Sequence, residues 1–186
     1  MNRLSIFPIQ FLLPLLILKP MAFAIEPEYI IGPGDVLEIS VWKDESLTRE
    51  VVIPPDSVLS FPLVGDIRVS NMTVADLRGR VTEKIVEYVP DATVTIMLLQ
   101  INSLKAYVIG KVNQPGEFQI AMDTNVMQIL SMAEGLNPYA SESKIHILRQ
   151  AEGQSIKIPF NYKEVIKGKK LEQNIILQRG DVVVVP

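Results

Sequence analysis

The stretch YIIGPGDVLEISVW, Tyr29 to Trp42, sets two glycines and a proline directly ahead of an alternating apolar run. A dinucleotide-binding loop requires glycine at its first, third and sixth places, and it opens a helix whose N-terminal amides hold the phosphate. Gly32 and Gly34 fill two of those places, but Leu37 holds the sixth. The residues after Asp35 have no helical period. Leu37, Ile39 and Val41 share one face while Val36, Glu38, Ser40 and Trp42 share the other, the period of two that marks a strand. Pro33 presets φ for the second position of a tight turn, and Gly34 supplies the positive φ a type II turn needs at its third. Gly32, Pro33, Gly34 and Asp35 therefore read as a structural turn feeding a strand.

Outward from this strand, REVVIP from Arg49 and PDSVLSFPLVGDIRV are short apolar runs. They are separated by turns at Pro54-Pro55-Asp56 and Gly65-Asp66. At Thr73 the period changes. Val74, Leu77, Val81, Ile85 and Tyr88 fall on one helical face, Thr73 with Asp76 forms a capping box, and Pro90 ends the helix. Alternation resumes from Thr93 to Leu99. This first unit is small and α+β.

The second unit opens with two predicted strands, Ala106–Val112 and Glu117–Ile120, joined by a hairpin turn at Asn113-Gln114-Pro115-Gly116. A short helix comes next over Asn125–Ala133, with Gly135 placed to end it. Strands at Lys144–Arg149 and Ser155–Phe160 flank an Ala151-Glu152-Gly153 turn, and a helical turn spans Tyr162–Ile166. Hairpin, helix, then more strands is the order of a small sheet wrapped over one helix, the β-grasp arrangement. The closing NIILQRGDVVVVP repeats the opening phrase in part, since Gly180-Asp181-Val182 again precedes an apolar strand. An adhesion tripeptide needs a projecting flexible loop, so Arg179-Gly180-Asp181 reads as another turn.

At 186 residues the chain is long enough for two small cores. Its first 24 residues read as a secretory signal: Arg3 precedes an apolar stretch that closes on Ala22-Phe23-Ala24, with cleavage expected between Ala24 and Ile25. Removing them leaves 16 basic and 21 acidic residues, a net charge near −5, which argues against a nucleic-acid partner. There is no cysteine, so disulfides, thiolate metal sites and lipid attachment through cysteine are excluded. No later stretch reaches the roughly 18 apolar residues needed to span a bilayer.

Signatures of catalysis are sparse. His146 is the only histidine and alternates with Ile145 and Ile147 as a half-exposed strand residue. A zinc site would recruit several His or Cys ligands. Asp35, Asp56, Asp66 and Asp181 all sit beside turn residues, where a carboxylate satisfies backbone amides rather than attacking a substrate. The basic run Lys167–Lys170 is a candidate contact for an acidic polymer, but reads first as a solvated loop. The expectation is a non-enzyme without cofactor or metal.

Taken in order, these pieces resemble the outer-membrane polysaccharide export family, and most closely its short exopolysaccharide-export members. YIIGPGDVLEISVW, FPLVGDIRVSNMTVADL and VPDATVTIML are similar to the polysaccharide export domain. AYVIGKVNQPGEFQI with NVMQILSMAEGLNPYA is similar to the soluble-ligand-binding β-grasp (SLBB) domain, and the C-terminal segment to the family's closing segment. The expected division is a signal over 1–24, an export domain over 25–102 and a β-grasp domain over 103–186. The resemblance implies a periplasmic protein whose copies form a homo-oligomeric ring and pass polysaccharide cargo toward and across the outer membrane. It also implies an inner-membrane copolymerase or chain-length partner. The chain departs from many relatives in three ways: it has no lipidated cysteine, it ends at Pro186 without a pore-lining helix, and Asp56-Ser57 replaces the usual Asp-Gly. The first two lead to the expectation of a separate outer-membrane barrel. The third is expected to cost little, since serine suits a turn. The other reading is a periplasmic β-grasp module binding one soluble ligand.

Overall fold

The computed structural model describes residues 28–42, 44–151 and 153–186. The signal segment and its cleavage site lie outside the described residues, as does Glu152 of the expected turn. The fold is α+β, with two buried apolar cores that succeed one another along the chain.

The first core gathers residues from Ile31 to Ile96. Strand β1 (Val36–Val41) pairs antiparallel with β2 (Asp44–Val52) on one side and with β5 (Val94–Gln100) on the other. Its alternation is realised: Leu37, Ile39 and Val41 are buried. A separate hairpin, β3 (Val58–Phe61) and β4 (Gly65–Arg68), adds Leu59, Phe61 and Ile67 to the same core. Helix α1 (Val74–Ile85) closes it with Leu77, Val81 and Ile85, and a reciprocal Thr73–Asp76 capping box fixes its start.

Two details of this unit depart from the sequence reading. The helix stops at Ile85, one turn before Pro90, because residues 86–89 tighten into turns on the Ile85 carbonyl. Tyr88, expected inward, is 58% exposed, and Val89 packs against the core instead. Ser57 stands at φ +57°, in the left-handed region where a Cβ is strained, so serine in place of glycine carries a cost the sequence reading missed.

The second core runs from Ala106 to Val185. Its strands are β6 (Lys105–Gly110), β7 (Gly116–Gln119), β8 (Ile145–Ala151), β9 (Gln154–Phe160) and β10 (Val182–Val185), in the order β7-β6-β10-β8-β9. The final strand enters the middle of the sheet, parallel to β6 and antiparallel to β8. Helix α2 (Val126–Met132) lies over one face with Val126, Ile129 and Leu130 buried, and Asn125 with Gln128 caps it reciprocally. The β6–β7 connection is longer than the expected four-residue turn. Val112 bridges Leu136, and Asn113 and Gln114 bond to Ala133 and Glu134, so the loop is fastened to the end of α2. A one-turn helix α3 (Tyr162–Val165) and a 3-10 turn at Leu171–Gln173 lead into β10.

Candidate functional site at the junction of the two units

The two Gly-Asp-Val phrases fold alike. In the first, Asp35 N–H donates to the Gly32 carbonyl at 3.2 Å while Gly32 N–H donates to Asp35 Oδ2 at 2.8 Å. In the second, Asp181 N–H donates to the Gln178 carbonyl at 3.1 Å while Gln178 N–H donates to Asp181 Oδ2 at 2.8 Å. Gly34 and Gly180 both take positive φ, +90° and +82°. Each aspartate is fully buried and locks its own turn before the strand begins.

The remaining lone pairs of the two carboxylates reach different partners. Asp35 Oδ1 accepts from the amides of Asn102 and Ser103 at 3.0 and 2.9 Å, at the start of the second unit. Its Oδ2 also accepts from the Tyr29 hydroxyl at 2.5 Å and the Ser103 hydroxyl at 3.0 Å. Burial works against ionisation of Asp35, but the donors from Tyr29, Gly32 and Ser103 outweigh it and hold the carboxyl below its ordinary range. Burial, reinforced by the bond to Asp35, pushes the Tyr29 phenol up to about 12. Asp181 takes a bidentate grip from Arg149, Nε at 2.9 Å on Oδ1 and Nη2 at 2.6 Å on Oδ2.

Arg179 completes the junction from the second unit. Its guanidinium donates to the Ile30 carbonyl at 2.7 Å and lies 5.9 Å from the centre of the Tyr29 ring. A Cβ on Gly32 would stand 2.2 Å from Arg179 Nη1 and 2.6 Å from Ser103 Oγ, so a larger residue there would displace the guanidinium and the hydroxyl. The tripeptide at Arg179–Asp181 is thus occupied in internal contacts, with no free loop to present. Beside it lies an open cleft of about 510 Å³ lined by Tyr29, Ile30, Leu104, Met122, Ile176 and Arg179.

A general base needs a free lone pair within reach of substrate. With five donors on it and no exposure, Asp35 is a structural anchor. Gly65 takes φ +74° as the first residue of β4, and Asp66 accepts from the Ser60 hydroxyl. Pro115 precedes Gly116, which opens β7 as an ordinary strand residue paired with Val108. His146 pairs with Pro159 and Val184 on the outer face of the sheet. Among the described residues no group of three or more His, Cys, Asp or Glu is placed to hold a metal ion.

Gly110 is among the structural residues that the sequence reading did not single out, along with Tyr29, Ser103 and Arg149. Gly110 ends β6 at φ +97°, and a Cβ there would overlap the Val185 carbonyl at 2.0 Å. A glycine inside an apolar strand run, as in YVIGKV, is the signal that finds it, since it marks close approach of another backbone.

Residues 24–99 match the family model described as polysaccharide biosynthesis/export protein, and residues 104–185 match the SLBB domain. The four residues between them include Asn102 and Ser103, whose amides hold Asp35. The chain is 29% identical to the polysialic acid transport protein KpsD of Escherichia coli over 113 residues, which cover 60% of this chain and 20% of that protein. It is 26% identical to the EPS I polysaccharide export outer membrane protein EpsA of Ralstonia nicotianae over 180 residues, covering 83% of this chain and 46% of that protein. The corresponding protein of Ralstonia solanacearum is 27% identical, with 47% of its length covered. The chain therefore spans less than half the length of each of these relatives. Among the described residues, no helix is long and apolar enough to cross a membrane.

Proposed function

Because this chain belongs to the polysaccharide export proteins, carrying their export domain and an SLBB domain in series, we propose that it is a periplasmic component of an exopolysaccharide or capsule export machinery. In this reading copies of the chain form a ring that passes polymer toward and across the outer membrane. An inner-membrane copolymerase or chain-length protein supplies the polymer, and a separate outer-membrane barrel receives it. The chain performs no covalent chemistry: a hydrated polar passage moves a glycan without bond making.

The observation that carries this reading is the hydrogen-bonded junction. Asp35 fastens the export domain to the segment that leads into the β-grasp domain, and Arg179 of the β-grasp domain reaches back to Ile30. A closed ring requires that each subunit present two different faces at a fixed angle, and a loose linker would not hold that angle from copy to copy. Cross-linking in intact cells, alongside native mass of the purified protein, tests it. The expected result is a ladder ending in one closed oligomer. A chain that remains monomeric by both methods while cells secrete polymer normally would instead favour the soluble-ligand module.

A further inference from the structure

The three-stranded sheet of the first unit buries one face, and the other is open. On that open face Thr48 of β2, Ser40 of β1 and Thr95 of β5 line one cleft, Ser40 being directly paired with Thr95 and Thr48 lying where the register of β2 against β1 shifts. Beyond these hydroxyls the chain continues to Trp42, whose N–H donates to the Thr93 carbonyl at 2.9 Å and so extends the strand pairing past Val41. The indole is 69% exposed, and it is the only tryptophan in the protein. Trp42, Glu45 and the three hydroxyl residues line one open cleft of about 530 Å³, within the size range of small-molecule sites, roughly 300–1,000 Å³.

We propose that this cleft is a carbohydrate subsite that holds one neutral pyranose unit of a passing polymer. The proposal rests on the export reading and deepens it by naming the contact. A pyranose with equatorial substituents has two flat faces of C–H groups and a rim of hydroxyls. The indole supplies a rigid apolar surface for one C–H face. The Ser40, Thr48 and Thr95 hydroxyls each both donate and accept, as the sugar rim requires, and Glu45 accepts from a sugar hydroxyl. Among the described residues lining the cleft there is a carboxylate and no basic group, which favours neutral units over uronates. A protein partner fits less well, because the centre of a protein interface is depleted in charged groups, whereas this lining is polar apart from Trp42 and Val41. The open geometry suits transient contact with moving cargo.

The single tryptophan makes the test direct. Cellohexaose titrated into the full-length exported protein should shift Trp42 emission to the blue, saturably and at millimolar concentration. Thr48→Val and Thr95→Val, which keep the fluorophore, should each weaken that titration about two- to tenfold, the equivalent of one hydrogen bond. Trp42→Ala should abolish binding by calorimetry while leaving the melting temperature within a degree or two of the parent, since the indole is exposed. No emission change at tens of millimolar cellohexaose overturns the proposal, as does a blue shift that tracks protein concentration alone, which would assign the indole to contact between copies. Polymer secretion in cells carrying Trp42→Ala separates the two levels: secretion lost on deletion but retained in this variant leaves export standing and removes the subsite from it.

Discussion

Asp35 holds Ser103 twice, accepting its amide at 2.9 Å and its hydroxyl at 3.0 Å across 68 positions of sequence. Replacing this carboxylate by a carboxamide turns one acceptor into a donor facing other donors. Asp35→Asn should therefore destabilise the protein by on the order of 3 kcal/mol. Ser103→Ala, which removes only the hydroxyl, should cost about 1 kcal/mol. Urea unfolding of both variants checks the ranking, and limited proteolysis near Asn102 should quicken in the first.

The same carboxylate sets an acid limit. Its folded pKa lies below the ordinary 3.8, so its contribution is present above that value and is lost as pH falls through the folded pKa. At the other end, the unfolded phenol of Tyr29 ionises near 10 while the folded one is held to about 12, so stability declines as pH rises across that interval. Melting temperature measured against pH should show both losses. Tyr29→Phe should flatten the alkaline arm, and Asp35→Asn the acid arm.

Gly34 and Gly110 both sit at positive φ, but only Gly110 also lacks space for a Cβ. Gly34→Val should cost on the order of 1 to 3 kcal/mol through backbone strain. Gly110→Ala adds overlap with the Val185 carbonyl and should cost more than Gly34→Ala. Equal melting temperatures for the two alanine variants would contradict the overlap.

Ser57 stands at φ +57° in the turn before β3. Substituting glycine removes strain of about 1–2 kcal/mol but adds unfolded-state entropy of roughly 0.5–1 kcal/mol. Ser57→Gly should therefore raise stability by up to about 1 kcal/mol, read as a higher urea midpoint.

Local features were the legible ones. Alternation placed Leu37, Ile39 and Val41 inward and Trp42 outward, and the cap at Thr73 with Asp76 needs only three residues of spacing to be seen. The two Gly-Asp turns declared themselves because glycine and aspartate act within four positions. What the sequence could not display is who meets whom. Nothing near Asp35 announces Ser103, and Arg179 read only as part of a turn, with no local sign that the fold carries it 149 positions back to Ile30. The helix end failed for a related reason: helical spacing continues through Tyr88, but turns on the Ile85 carbonyl lead the chain away before Pro90 is reached.

Deleting the gene for this protein in the source organism tests its part in polysaccharide export. Secreted and envelope-retained polymer should then be compared with those of a strain carrying the gene in trans. Extracellular polymer should collapse while polymer accumulates inside the envelope, with both reversed by the restored gene. Normal secretion in the deletion strain, with no polymer retained, would contradict that role.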